Sequence, residues 1–109
     1  MTIELPSPIA GYFAADRSDD IDAFLRCFAG DAIVIDERRT HAGHDQIREW
    51  KTKASAQYTY HAAPYATGDI DGQTIVTAHL TGDFPGSPVD LRYAFTLCAG
   101  LIARLEIKP

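Results

Sequence analysis

One carboxylate and two phenols in this 109-residue sequence are of the types that proton transfer beside a carbonyl group requires. Asp36 ends the apolar run of residues 33–35, and a carboxylate in apolar surroundings loses hydration. Its pKa then rises toward a value that suits a general base. Tyr12 and Tyr93 lie in apolar stripes, where a phenol can donate a hydrogen bond to a developing oxyanion. If the three side chains converge, the site would hold one base and two donors, which suits enolate chemistry.

Each of these residues also has a purely structural interpretation, which the sequence leaves open. Strand alternation places Asp36 on the face of Val34, but a strand-end aspartate can equally pair in water with Arg38 or Arg39. The two tyrosines can equally be core aromatics whose hydroxyls find incidental partners.

Five further side chains are candidates for the wall of a ligand pocket. They lie on the first helix, the third helix and the later strands: Phe13, Trp50, His61, His79 and Phe95. The period of two does not decide whether the two histidines face inward. Because no histidine pair has i, i+4 spacing on a helix and no CxxC motif occurs, we expect no metal site. No phosphate-binding glycine loop is present, so we expect no nucleotide or other cofactor.

Three predicted helices form the first half of the chain. Ser7 is typical of an N-cap and Pro8 of a first helical position. Residues 18–20 open a second helix, whose apolar stripe extends over residues 21–28. A third helix begins at Gly43, after a short strand over residues 32–36 and a polar loop over residues 37–41.

The second half of the chain has the period of two that is typical of strands. Pro64 indicates a bulge or an edge strand, and the dipeptide at 71–72, Asp-Gly, predicts a hairpin turn. In the last strand, the apolar residues at 101, 103, 105 and 107 are predicted to share one face. The four strands are predicted over residues 58–69, 73–84, 89–98 and 101–107. This order indicates a single α+β domain over residues 1–109, with a curved antiparallel sheet covered by helices on one face.

Composition excludes several classes of partner. The formal net charge is −5 and the largest basic cluster is the pair Arg38 and Arg39, so neither nucleic acid nor an anionic membrane is an expected partner. No apolar run approaches the roughly 20 residues that span a bilayer, and residues 1–6 lack the pattern of a signal peptide. Cys27 and Cys98 lie in apolar stretches, where we expect reduced, buried thiols. Together these features predict a cytoplasmic protein.

Two segments resemble a known family. Residues 11–36 read GYFAADRSDDIDAFLRCFAGDAIVID, and residues 43–47 read GHDQI. They are similar to the SnoaL-like and ketosteroid-isomerase-like members of the nuclear-transport-factor-2-like (NTF2-like) superfamily: an aromatic first helix, a polar turn, a second helix and a strand ending in Asp. With the later strands, the resemblance covers nearly the whole chain. It implies a cone-shaped fold of three N-terminal helices packed on a curved, mainly antiparallel sheet.

The resemblance also implies roles for the candidate residues. In ketosteroid isomerases a tyrosine of the first helix donates to the substrate oxyanion and an aspartate at the end of the first strand moves the proton. Tyr12 and Asp36 match these positions. The second donor of the isomerases is a protonated aspartate, and Tyr93 occupies that position here, so the steroid reaction itself is not implied. The family usually dimerises through its open sheet face, and a homodimer is therefore expected.

The leading hypothesis is a cofactor-independent isomerase or cyclase that acts on a small apolar carbonyl compound. The alternative is a non-catalytic ligand-binding or dimerisation module in which side chains fill the pocket. An empty cavity of about 300 Å³ or more would favour a ligand. Hydrolysis of an epoxide, with Arg92 or Arg104 assisting Asp36, ranks last. Both arginines are predicted on the strand face opposite the apolar side chains.

Overall fold

The structure is a computed structural model that describes residues 3–18 and 20–109. Within these residues the first half of the chain forms three helices, α1 (Ser7–Ser18), α2 (Ile21–Arg26) and α3 (Gly43–Gln57). Six strands complete the described part: β1 (Phe28–Asp36), β2 (Arg39–Ala42), β3 (Tyr60–Ile70), β4 (Gln73–Gly82), β5 (Val89–Cys98) and β6 (Leu101–Lys108). They form one sheet in the order β2-β1-β6-β5-β4-β3, antiparallel except for the β1–β6 pair. The predicted α+β class is confirmed.

The second helix is shorter than predicted. The side chain of Asp20 caps the start of this helix by accepting a hydrogen bond from the backbone N–H of Ala23 at 3.1 Å. Residue 19, which is part of the predicted start, lies outside the described residues. The helix ends at Arg26, and Phe28 begins β1 instead of continuing the stripe. From this point the backbone pairs with β6 instead of continuing the helix, since the carbonyl of Cys27 accepts a hydrogen bond from the N–H of Ile102 at 2.8 Å.

The polar segment after β1 is a tight turn followed by strand β2, and not the predicted loop. Glu37 and Arg38 both have positive φ, 51° and 66°, and form a two-residue turn that places Arg39 opposite Asp36. Strand β2 lies at the edge of the sheet and is largely exposed, so its side chains carry no alternation of apolar and polar types. This pairing brings β2 alongside the strand that carries Asp36.

Two predicted features of the second half are confirmed. Asp71 and Gly72 form the β3–β4 turn with φ of 51° and 78°, the left-handed conformation of a tight hairpin. Pro64 lies on the edge strand β3, and the register shifts between Pro64 and Ala66, which makes a bulge.

The last strand departs from strict alternation. Leu97 pairs with Ile102 and Thr96 with Arg104, which leaves Ala103 as an extra residue. The bulge turns Ile102 toward the core, where it is fully buried, and leaves Leu101 37% exposed. The prediction that Leu101 shares the inner face is therefore wrong. Likewise Cys98, at the end of β5, is an exposed thiol and not a buried one, whereas Cys27 is half-buried.

The helices cover one face of the sheet, which we call the inner face, and the core lies between them. Aromatic and branched side chains from both layers fill it, and the largest that are fully buried are Ile9, Phe24, Phe28, Val34, Ile47, Val76, Phe95, Ile102 and Leu105. Among the described residues, no helix is both long enough and apolar enough to cross a membrane.

Gly82 ends β4 and lies opposite Tyr60 of β3. A Cβ there would lie 2.3 Å from the carbonyl oxygen of Thr59 and 2.8 Å from the Cα of Tyr60, and backbone atoms cannot move away cheaply. Gly82→Ala is therefore expected to destabilise the protein by about 1–3 kcal/mol in urea unfolding. Gly30→Ala is the control, because a Cβ at that site meets no atom within 4 Å. Equal unfolding midpoints for the two variants would contradict this packing.

Candidate functional site

A cavity of about 790 Å³ lies between α3 and the inner face of the sheet. Its sheet side is largely apolar and includes Leu80, Val89, Leu91 and Ile107. Its α3 side is largely polar and includes Gln46, Glu49, Lys53 and Gln57. The volume is well above the roughly 300 Å³ at the lower end of ligand pockets. Side chains therefore do not fill this space, and the cavity has one apolar and one polar wall.

Asp36 lies in the wall of this cavity, at the end of β1. Strand alternation turns its half-buried side chain to the same face as the fully buried Val34. Trp50 on α3 donates its indole Nε1–H to Oδ2 of Asp36 at 3.1 Å. Burial raises the pKa of Asp36, and the charge of Glu37 adds to this, whereas the Trp50 hydrogen bond and His41 lower it. Burial is the largest cause, so the site holds a carboxylate that has lost part of its hydration.

The interpretation of Asp36 as half of a surface ion pair does not match its surroundings. Arg39 is its neighbour across the hairpin, yet neither Arg38 nor Arg39 forms an ion pair with Asp36 in the described part of the chain. Its carboxylate is therefore available to a molecule in the cavity.

Tyr12 on α1 and Tyr93 on β5 meet in the wall of the same cavity. Their ring centroids are 6.1 Å apart, and each residue is 4% exposed. Burial raises the pKa of both phenols, and the negative charges of Asp16 and Asp36 raise both values further. For Tyr12, the neighbouring Tyr93 adds to the increase. Both side chains are therefore protonated at neutral pH and can act only as neutral donors or acceptors.

The two hydroxyls have no partner among the residues that the structure describes, whose hydrogen bonds involve neither of them. No fully buried side-chain nitrogen or oxygen atom in residues 3–18 and 20–109 lacks a hydrogen bond. The hydroxyls must therefore be accessible from the cavity that both tyrosines line. The same cavity is thus lined by Asp36, Tyr12, Tyr93 and Trp50.

Phe13 and Phe95, predicted to line the pocket, lie beneath it instead. Their rings pack against Tyr12 at centroid distances of 5.0 and 5.5 Å, and both residues are buried without being part of the cavity wall. They form an aromatic layer that supports the two phenols from below, together with Phe24 and Phe28. Their contribution is to hold the rings of Tyr12 and Tyr93 in place.

His61 and His79, also predicted for the pocket, lie on the opposite, outer face of the sheet. The register of β3 and β4 turns Ala62 and Leu80 inward, so that the adjacent histidines point outward, where both are exposed. His79 Nδ1 lies 2.7 Å from Oδ1 of Asp90, whose other oxygen accepts from the hydroxyl of Tyr65. The predicted pocket positions of the two histidines are corrected accordingly.

A buried ion pair next to the cavity was not predicted from the sequence. Lys51 on α3 is 4% exposed, and its Nζ donates to Oδ1 of Asp16 on α1 at 2.5 Å. The hydroxyl of Tyr60 donates to the same oxygen at 2.7 Å and accepts from Nζ of Lys51 at 3.3 Å. Tyr60 also lines the cavity. The three side chains therefore tie α1, α3 and β3 together beside the phenols.

The sequence did contain a signal for this pair. The inward stripe of α1 ends on Asp16, seven residues after Ile9, and Lys51 follows Ile47 by four residues on α3. Opposite charges at inward positions of two helices indicate a buried pair, because an unpaired charge there would be very costly.

Among the described residues, no three His, Cys, Asp or Glu side chains lie close enough together to bind one metal ion.

Solved structures similar to this chain include a close relative and more distant proteins of the same fold. No family model and no curated protein sequence matches the chain. A solved structure of a candidate polyketide cyclase from Sinorhizobium meliloti is 42% identical, with a TM-score of 0.91 and coverage of 95% of each chain.

Two more distant structures show the fold alone. A ketosteroid-isomerase-like protein from Catenulispora acidiphila, in complex with trimethylamine, is 18% identical with a TM-score of 0.83, over 97% of this chain and 87% of its own. A cystatin-fold protein from Novosphingobium aromaticivorans is 16% identical with a TM-score of 0.79, over 99% of this chain and 100% of its own.

Proposed function

This chain belongs to the SnoaL-like and NTF2-like superfamily, and we propose that it binds a small apolar carbonyl compound on which Asp36 acts as the proton carrier. One observation carries the proposal: a partly desolvated carboxylate and two accessible phenol hydroxyls line the same cavity of about 790 Å³. A base and two neutral donors are the groups that enolisation requires.

The proposed reaction begins with proton abstraction. The carboxylate of Asp36 takes a proton from the carbon next to the carbonyl. The electron pair of the broken C–H bond forms the C=C bond of the enolate, and the π pair of the C=O bond moves onto the oxygen. Tyr12 and Tyr93 donate hydrogen bonds to that oxygen as its charge develops, which lowers the barrier most where water is excluded. No cofactor is needed, because the step neither oxidises nor reduces the substrate.

Two outcomes of the enolate are open to this site. Return of the proton from Asp36 to a different carbon gives an isomer. Attack of the enolate carbon on a second carbonyl of the same molecule forms a C–C bond and closes a ring, with the proton of Asp36 passing to the new alkoxide. The 42% identity to a candidate polyketide cyclase supports the second outcome.

The shape of the cavity supports an apolar ligand body. Leu80, Val89 and Leu91 offer an apolar surface on the sheet side, while the polar groups of α3 lie opposite. A ligand with an apolar face and an oxygen-bearing edge would satisfy both walls.

The role of the phenols can be tested with a matched pair of ligands. We expect 2-acetylnaphthalene to bind more tightly than 2-ethylnaphthalene, which lacks the oxygen, with Trp50 fluorescence as the readout. Tyr93→Phe should weaken ketone binding about 2- to 10-fold, the effect of losing one hydrogen bond of about 0.5–1.5 kcal/mol, and leave the hydrocarbon unaffected. Tyr65→Phe, on the outer face, is the control. Equal loss for both ligands would contradict a donor role for Tyr93.

A non-catalytic binding protein is the second candidate, since the cavity would accept a ligand whether or not Asp36 moves a proton. It predicts ketone binding without turnover. Epoxide hydrolysis has no support from the cavity, because Arg92 donates to the carbonyl of Pro109 and Arg104 lies 3.8 Å from Glu106, neither in the cavity wall.

The homodimer stays a prediction that the family resemblance suggests. The outer face of the sheet, with Arg92, Thr96, Arg104 and Glu106, is its proposed interface. Light scattering that gives twice the 11.9 kDa mass of the chain would support it, and a monomer mass at the same concentration would contradict it.

A further inference from the structure

The loop between β4 and β5 forms one boundary of the cavity and has no part in the proposed chemistry. Its residues Phe84, Pro85 and Gly86 line the cavity, as does Tyr58, the residue that follows α3. The rings of Phe84 and Tyr58 meet edge to face, with centroids 6.4 Å apart and planes inclined by 72°. Phe84 is half-buried and packs against the core. An aromatic pair therefore joins this loop to the end of α3.

Hydrogen bonds hold both ends of the loop. The N–H of Thr59 donates to Oδ1 of Asp83 at 2.8 Å, and the N–H of Asp83 donates to the carbonyl of Thr59 at 3.1 Å. The hydroxyl of Ser87 accepts from the N–H of Gly82 at 3.0 Å, and the N–H of Ser87 donates to the carbonyl of Phe84 at 3.2 Å. Moving the loop away from the cavity would break several of these bonds, each at a cost. Phe84 is therefore a fixed boundary of the cavity.

The strand register gives the distance from the proposed base to this boundary. Asp36 pairs with Ile107 of β6, which pairs in turn with Tyr93 of β5, so the base and one phenol lie in the same row of the sheet. Val89 begins β5 directly after the loop and precedes Tyr93 by four residues, which is about 13 Å along a strand. Leu91 lies between them and lines the cavity. The sheet side from the row of Asp36 to the loop is therefore apolar.

The helix gives a similar distance independently. Trp50 donates its indole N–H to Asp36, and Tyr58 follows Trp50 by eight residues and lines the same cavity. Eight residues at the helical rise of 1.5 Å per residue correspond to about 12 Å. Both sides of the cavity therefore separate the level of the carboxylate from the Phe84–Tyr58 pair by about 12–13 Å along the backbone.

We propose that Phe84 determines the length of the ligand. The site takes an elongated apolar ketone whose carbonyl end lies at Asp36 and whose far end meets the ring of Phe84. The apolar side chains between the two ends favour an apolar body of any length, because hydrophobic contacts are not directional. A fixed ring at the end discriminates by length, since a longer molecule must displace the ring or lose its contacts at the other end. This inference rests on the proposed function for the position of the carbonyl.

A homologous series of ketones tests the inference. 2-Acetylnaphthalene with straight alkyl chains of increasing length at position 6 keeps the carbonyl end constant, and Trp50 fluorescence reports binding. Each added methylene should tighten binding to the parent protein about 4-fold until the chain reaches Phe84, where the gain should stop. In Phe84→Ala the gain should continue for about two further methylenes, which is about 10- to 20-fold for the longer homologues relative to 2-acetylnaphthalene in the same variant. Phe84→Leu should give an intermediate limit.

Tyr65→Ala is the matched control, because it removes an aromatic ring of similar size from the outer face, where Tyr65 is 52% exposed. Its limiting chain length should equal that of the parent protein. Far-ultraviolet circular dichroism shows whether each variant is folded, and Phe84→Leu serves alone if Phe84→Ala unfolds. A limit that does not move in a folded Phe84 variant would overturn the proposal, as would a parent protein whose affinity keeps rising through the whole series.

Failure of the proposed function gives a different pattern of results. If no member of the series binds, both proposals are contradicted. If the homologues bind with a limit that depends on Phe84, but Asp36→Asn leaves proton exchange on the bound ketone unchanged, the role of Asp36 is contradicted and the length limit stands. If exchange depends on Asp36 and the limit does not depend on Phe84, only the present inference fails.

Discussion

Asp36→Asn is expected to slow proton exchange on a bound ketone by a factor of about 10²–10⁴, with ketone affinity nearly unchanged. Asparagine has almost the shape of aspartate and its amide oxygen can still accept the Trp50 N–H, but it cannot carry the proton. The loss should therefore fall on the chemical step and not on binding. Mass spectrometry of deuterium incorporation into the methyl group of 2-acetylnaphthalene in D₂O measures the exchange. Exchange at the parent rate would exclude Asp36 as the proton carrier.

The same substitution is expected to stabilise the folded protein at neutral pH. The pKa of Asp36 is raised by burial, so the folded protein binds the proton more tightly than the unfolded chain does. Such a group contributes stability below its unfolded pKa of about 3.9, and that contribution is lost as the pH rises through the folded pKa. Asp36→Asn should therefore raise the melting temperature at pH 7, with a gain that shrinks toward pH 3. A lower melting temperature at pH 7 would indicate a carboxylate that is stabilised by the fold.

Lys51→Met is expected to destabilise the protein by about 3–5 kcal/mol, because it leaves the carboxylate of Asp16 buried without its cation. The side chains of both residues are nearly inaccessible, at 5% and 6% exposure. Tyr60 alone cannot replace the lost charge. Urea unfolding at pH 7 measures the change.

Lys53→Met is the matched control, on the same helix. Lys53 pairs with Glu49 at 2.7 Å, but both side chains are exposed, and exposed pairs contribute about 0–1 kcal/mol. The double variant Asp16→Asn/Lys51→Met should recover part of the stability lost in Lys51→Met, since no unpaired charge remains buried. Equal effects of Lys51→Met and Lys53→Met would show that the buried pair contributes little.

Much of the fold could be predicted because its signals are local. The period of two in β5 and the Asp71-Gly72 turn depend on neighbouring residues, and both appear in the structure as expected. The start of α3 at Gly43 is also as predicted. Where a stripe of apolar side chains faces the core, its period identifies the element directly.

The features that were missed depend on contacts far apart in the sequence. Helix α2 ends earlier than its apolar stripe predicts, because Phe28 already pairs with β6 in the parallel β1–β6 ladder. Strand β2 is an exposed edge without apolar alternation, and the bulge at Ala103 reverses the facing of the residues before it. Each of these depends on a partner strand that no local pattern reveals.

The candidate site divides in the same way. Local apolar patterns were enough to predict four residues that line the cavity: Asp36, Tyr12, Tyr93 and Trp50. Their roles stay predictions. The inward facing of His61 and His79 could not be decided from strands with mixed faces. His41 gained its place only through β2, which the sequence did not indicate.

The pKa of Asp36 distinguishes a proton carrier from an ordinary surface carboxylate. A carboxyl-carbon NMR titration measures it, with Asp36→Asn to assign the resonance. We expect a pKa clearly above the reference value of about 3.9, because the carboxylate has lost hydration in the cavity wall. A pKa at or below that reference would mean a hydrated or cation-paired carboxylate, and would contradict Asp36 as the proton carrier.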